Sequence, residues 1–177
     1  MEKRLIKIIA GKAGGTAGGK AKTYKISLPT NWVKAIGIES GNVEMSFDGS
    51  SITISPVLSA EEFLQKKLSL NHTLYKLSYY NEEELCTLIY ADFSDKTVKA
   101  ENFTDNVIKT SFGNNSLPSW EDFLDFLEER CIPRGRDGLR EYLDVIGVDS
   151  YEPFEIIKIT KGRMAEDNQW INVEEIR

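Results

Sequence analysis

Apolar and polar positions alternate in short stretches near the start of the chain and fall at helical spacing in its last third. Residues 4–10, RLIKIIA, are rich in Ile and alternate imperfectly, which predicts a strand. Residues 11–22 hold five glycines and no large apolar side chain, so they predict a loop with much conformational freedom to lose. Residues 24–28 return to strand character. Pro29 then suits the first turn of a helix, where a missing N–H costs little, and Gly37 closes the short turn 30–36. Residues 43–47 and 52–54 alternate again, and Asp48-Gly49-Ser50-Ser51 between them signals a hairpin.

Beyond Pro56 the pattern changes. Ser59 with Glu62 three residues on reads as a capping box, and residues 57–70 predict a helical linker. Residues 74–80, 85–93, 97–103 and 107–112 read as a β-meander. Ser119 with Asp122 opens a helix whose Trp120, Phe123, Leu124 and Leu127 share one face. The loop from Cys131 to Arg136 breaks it. Leu139, Tyr142, Leu143 and Ile146 repeat the spacing up to Gly147, and a third short helix begins near Ser150 and carries Phe154, Ile157 and Ile156. Residues 168–176 read as a last strand or an extended arm. Strands followed by helices make this an α+β chain.

Composition adds an asymmetry to this picture. The 177 residues are 41% apolar and 28% charged, ordinary values for a globular protein, with a net charge of −6. Residues 1–56 carry eight basic and four acidic residues, a net of +4; the other 121 carry 14 basic and 24 acidic, a net of −10. A basic head can neutralise phosphates, and an acidic body is repelled by them, so the two parts are expected to have different partners. No apolar run is long enough to span a bilayer. The start lacks a signal-peptide core and cleavage site, and the two distant cysteines, Cys86 and Cys131, read as reduced buried thiols; a cytoplasmic location is expected.

The segment from Gly14 to Lys20 satisfies G-x-x-x-x-G-K after a strand. Ala21, however, stands where a metal-binding hydroxyl is required, and strand-like residues follow where a helix N-terminus should face the phosphates. The segment is therefore read as a glycine-lysine loop. The stretch around it is more specific. Lys25-Ile-Ser-Leu-Pro29, then Trp32, Lys34 and Ile36-Gly37-Ile38, then Gly41-Asn-Val-Glu and the closing strand Ser51 to Ser55, resembles the SpoVT/AbrB-like, or swapped-hairpin, DNA-binding domains, which include MazE-type antitoxins. The resemblance covers nearly a third of the chain. It implies a homodimer whose interleaved hairpins close one β-barrel. It also implies DNA contacts from basic residues before the Ile-Pro-type strand and after the short helix, which fall here on Lys25 and Lys34, with Lys12, Lys20 and Lys22 in the adjoining loop. The loop 11–22 is longer and richer in glycine than the family pattern, and Val33 stands where a second basic residue often sits. From the residues alone, a 56-residue module scarcely buries a core by itself, so pairing between chains is expected; a two-fold dimer doubles the head's charge to +8. Lysines contribute phosphate contacts, and Asn31 and Thr30 at the turn are the candidates for reading base edges.

The body offers less chemistry. Leu127-Glu-Glu-Arg130-Cys-Ile-Pro-Arg134-Gly-Arg136, then Gly138-Leu139, Leu143, Ile146-Gly147-Val148 and Glu166-Asp167-Asn-Gln-Trp170-Ile171, is similar over residues 84–173 to a small module of Firmicutes and their mobile elements, also found before the kinase region of some HipA-like proteins. Arg130, Arg134, Arg136 and Arg140 form a candidate anion or partner site, against the plainer reading that they pair with Glu128, Glu129, Asp137 and Glu141. Trp170 reads as a core plug. The single histidine, His72, has no nucleophile or metal-ligand spacing beside it, so no catalytic group, metal set or cofactor is nominated. The expectation is three segments: a DNA-binding and dimerisation domain at 1–56, the helical linker at 57–70, and an acidic partner-binding domain at 71–177. As a whole this reads as a DNA-binding transcriptional autoregulator of antitoxin type, not an enzyme. The alternative is a mobile-element inhibitor of a host defence nucleoprotein, of anti-CRISPR type, with the acidic body as effector.

Overall fold

A computed structural model of the chain describes residues 2–12 and 21–176. The chain divides into two compact units after Val57. The first holds two antiparallel hairpins joined by one short helix: β1 (Ile9–Lys12) with β2 (Lys22–Lys25), α1 (Thr30–Ala35), and β3 (Val43–Phe47) with β4 (Ile52–Pro56). Pro29 precedes α1, and Gly37, at φ +71°, ends it with its N–H on the Lys34 carbonyl. Asp48 fixes the β3–β4 turn: its Oδ1 accepts from the N–H of Ser50 and of Ser51, both at 2.8 Å.

Two expectations change here. The described residues of the first unit form no closed barrel, only two separate two-stranded sheets. The strand expected over 4–10 lies at Ile9–Lys12 and that expected over 24–28 at Lys22–Lys25, both reaching into the segment 11–22 that was expected as loop; residues 4–8 and 26–28 pair with no strand. Their alternation is strand-like, but a strand needs a neighbour for its backbone hydrogen bonds, and one copy of this unit supplies none there.

The second unit is one four-stranded antiparallel sheet, order β7-β6-β5-β8, from β5 (Leu74–Asn81), β6 (Glu84–Asp92), β7 (Thr97–Asn102) and β8 (Gln169–Ile176). The fourth strand of the expected meander is a correction. Residues 107–109 form a 3-10 turn, because Asn106 caps the Ile108 N–H and the Thr110 hydroxyl bonds the carbonyls of Val107 and Gly113. The place beside β5 is taken by the chain's tail, β8. Helices α3 (Trp120–Glu129), α4 (Leu139–Ile146) and α5 (Pro153–Thr160) contribute to the core on one sheet face, where Leu77, Tyr79, Ile89, Ala91 and Ile171 meet Phe123, Phe126, Leu127, Leu143, Ile156 and Ile157. In α3 the buried set includes Phe126, which packs edge-on to Tyr79 at 5.2 Å, whereas Leu124 is exposed. Cys86 and Cys131 are buried free thiols.

The segment expected as a linker forms α2 (Ala60–Ser69), closed by the Ser59–Glu62 capping box. It belongs to the second unit and rests on β6 and β7, because Phe63 and Lys67, one turn apart, are both buried there.

Candidate nucleic-acid interface

The basic residues of the first unit sit on its first hairpin and its helix. In the β1–β2 register Lys12 lies directly opposite Lys22, and Ile9 opposite Lys25. Alternation puts Lys12, Lys22 and Tyr24 on one side of the hairpin and Lys25 on the other. Like charges facing each other across a strand pair destabilise it, and neither lysine is drawn off by an acid among the described residues. On α1, Asn31 and Lys34 stand three residues apart on one face, exposed. Lys20 lies outside the described residues. The hairpin thus brings Lys12 and Lys22 together and leaves Lys25 on its other side, while Asn31 and Lys34 form a second group on the helix. Trp32 of α1 donates its indole N–H to Glu2 at 2.7 Å, and a groove of about 440 Å³ runs between Arg4–Ile9 and Ser27–Thr30.

What surrounds these lysines is missing a core. None of the described residues up to Val57 is buried. On the second hairpin Val43, Met45, Phe47, Ile52, Ile54 and Pro56 occupy one side of the ladder, with Met45 opposite Ile54 and Phe47 opposite Ile52. Met45, Phe47 and Ile52 are 69%, 70% and 65% exposed, and Leu5 is fully so. A face made only of apolar side chains is unstable in water unless something covers it.

In the second unit the four arginines separate by role. Arg130 is buried: its guanidinium donates to the Gly162 carbonyl at 2.8 and 3.0 Å, to both Asp167 oxygens at 2.5 and 3.0 Å, and to the Gln169 carbonyl at 3.0 Å. This clip fastens the end of α3 to the loop that leads into β8. It leaves no donor for a ligand, so Arg130 drops out of the anion site. Burial alone would lower the Arg130 pKa, but the Asp167 carboxylate outweighs it, and Asp167 is held below the usual carboxylate range by the hydrogen bonds it takes from Arg130. Arg134 is committed as well, to Glu128 at 2.7 Å and over the Tyr151 ring at 4.3 Å. Arg136 and Arg140 are exposed and unpaired among the described residues. Arg130 and Asp167, from distant parts of the sequence, are thus partners in one structural contact. Trp170 is only partly buried: it stacks on Tyr80 at 4.4 Å, and the Lys161 and Arg163 cations lie 5.4 and 5.1 Å from its ring.

A second cluster had no motif to announce it. Asp92 is fully buried, and its Oδ2 takes Lys67 at 2.8 Å and His72 Nδ1 at 2.7 Å, while Oδ1 takes the N–H groups of Ser94 and Asp95. Lys67 also reaches Asp95 at 2.7 Å and Thr97 at 2.9 Å. Burial pushes the Asp92 carboxyl up, but these four hydrogen bonds together hold it below its ordinary value. His72, Asp92 and Asp95 have ligand atoms close enough to hold a metal, yet the Lys67 ammonium already sits on both carboxylates and supplies the cation itself. The one sequence signal was a lysine at a core position of α2, four residues after Phe63. Buried Tyr79 and Cys131 are pushed up to about 12 by desolvation, which leaves both protonated and inert at neutral pH.

No family model, curated protein or solved structure matches this chain. Among the described residues no helix is long and apolar enough to cross a membrane.

Proposed function

We infer that the protein is a dimeric DNA-binding regulator whose second unit engages a protein partner. The observation that carries this is the coreless first unit, with an all-apolar face on β3 and β4 and an unpaired lysine couple, Lys12 and Lys22, at the end of β1 and β2. A second copy supplies apolar cover of matching chemistry, and interleaving of the two copies into one barrel gives residues 4–8 and 26–28 the strand neighbours they lack. Dimerisation doubles the lysines, and a duplex phosphate backbone relieves the repulsion that the Lys12–Lys22 register builds in. The protein acts by binding rather than catalysis: its buried titratable groups are consumed in structural contacts. The DNA contacts fall to Lys12, Lys20, Lys22, Lys25 and Lys34, with Asn31 at the base edges.

Fluorescence anisotropy of the full chain on duplex DNA from upstream of its own gene tests this. Log affinity falls linearly with log salt concentration, and replacing Lys12 and Lys22 by Gln makes the slope shallower by about 3.6 if all four lysines of a dimer touch phosphates, about 0.9 each. A slope unchanged by the double substitution contradicts the assignment.

One observation favours the inhibitor reading of the second unit. Glu121, Asp125 and Glu129 follow one another at four-residue intervals on α3, exposed and unpaired among the described residues, and a helix that keeps such a row is suited to a basic protein surface. Capture of a basic nucleoprotein by the full chain, lost when these three are changed to Gln, supports that reading; capture of a small toxin supports the antitoxin form.

A further inference from the structure

We propose that α2 is a detachable strap on the second unit, opening and closing as one segment with the Asp92 carboxylate as its catch. The proposal is independent of DNA binding. The core helices pack on the sheet face that carries Tyr75, Leu77 and Ala91; strand alternation puts Leu74, Asp92 and Thr97 on the other face, where α2 lies. Of its ten residues only Phe63 and Lys67 are buried. A helix this short does not hold itself together in water, so its order depends on docking, and docking rests chiefly on one aromatic ring and one ammonium group, with Leu64 and Leu68 only partly buried.

The ammonium is the decisive part. Lys67 spends its three donors on Asp92, Asp95 and Thr97, and stands 5.4 Å from the Phe63 ring. When α2 lifts, Lys67 regains water. Asp92 keeps His72 at 2.7 Å and the N–H groups of Ser94 and Asp95, so the sheet does not need the strap in order to stay folded. The groups facing this contact are Lys67 from α2, His72 from the α2–β5 connection, and Asp92, Ser94, Asp95 and Thr97 from β6, β7 and their turn. Two arrangements of one segment, each with its polar groups satisfied, make a two-state element. The open arrangement bares Leu74 beside Asp92.

Hydrogen–deuterium exchange of the full chain tests this. The amides of residues 63–69 are expected to exchange at least about 10-fold faster than those of Leu77 and Ile89 in the native protein. Asp92→Asn and, separately, Lys67→Gln are each expected to speed exchange in α2 by a further 10-fold or more, the second variant serving should the first not fold, whereas Ile89→Val, in the core on the other sheet face, is expected to speed exchange at Leu77 and leave α2 at its native rate. Combining Asp92→Asn with Lys67→Met leaves neither charge alone, and exchange in α2 is expected to return to within about 3-fold of the native rate. Exchange of α2 in step with β5 and β6 in the native protein overturns the proposal, as does an Ile89→Val chain in which α2 speeds as much as the sheet, or a double variant no slower than the singles.

Discussion

Replacing Arg130 by Met is the sharpest probe of how the second unit is held together. Methionine keeps most of the stem's packing and removes the guanidinium. The carbonyls of Gly162 and Gln169 then lose their donors, and Asp167, partly open to solvent, keeps a charge without its partner. An unsatisfied buried acceptor costs about 1–3 kcal/mol, and breaking a buried ion pair from one side costs about 3–5 kcal/mol. Water reaches Asp167 more readily than the carbonyls, so the loss is expected at about 3–4 kcal/mol. For a unit of 120 residues, an unfolding entropy near 2.1 cal/mol/K per residue makes 1 kcal/mol worth about 4 °C, so the melting midpoint falls by about 12–16 °C. Calorimetry of the full chain reads this on the second unit's transition. Arg134→Met is the control: its ion pair with Glu128 is exposed, and the change is expected to stay within about 0.5 kcal/mol. An Arg130→Met chain within about 1 kcal/mol of the native protein refutes the clip, as does equal damage from the two arginines.

Other consequences follow from the same contacts. Gly162→Ala is expected to destabilise the second unit by about 1–3 kcal/mol in urea titration, since a Cβ there lies 3.2 Å from Arg130 Cβ and 3.3 Å from Ile171 Cδ1 at a φ of +59°. The second unit is expected to weaken in acid: Asp92 and Asp167 have depressed folded pKa values, so their stabilisation is complete above the unfolded value near 3.9 and is lost as pH falls through the folded ones. Melting scans from pH 6 to pH 2 show this as a steep acid limb, shallower in Asp92→Asn. Phe47→Glu is expected to break self-association of the first unit and leave the second unit's melting midpoint unchanged, read by light scattering and calorimetry on the same sample.

The helices were legible because most carry their own punctuation, Ser119 and Asp122 at the start of α3 and Gly147 at the end of α4, whereas α5, expected from near Ser150, begins at Pro153. The β3–β4 hairpin was legible from alternation around Asp48-Gly49. Residues 107–112 alternate just as well, yet local capping by Asn106 and Thr110 outcompetes a ladder, and alternation does not weigh one against the other. The site in the second unit was hidden for a different reason. Lys67 and Asp92 are 25 positions apart and Arg130 and Asp167 are 37 apart, so the pairs are created by the sheet register and the α3–β8 connection, neither of which local pattern encodes. Arg130 read as a surface anion binder because its sequence neighbours, Arg134 and Arg136, are surface residues. The lysines of the first hairpin were visible in composition, but their facing register is a fact of pairing.

Sedimentation equilibrium of the full chain at micromolar concentration bears most directly on the account. A mass of two chains, shifted to one by Phe47→Glu, is the predicted result. A native protein that sediments as a single 20.0 kDa chain, with the face of Met45, Phe47 and Ile52 left in water, contradicts it.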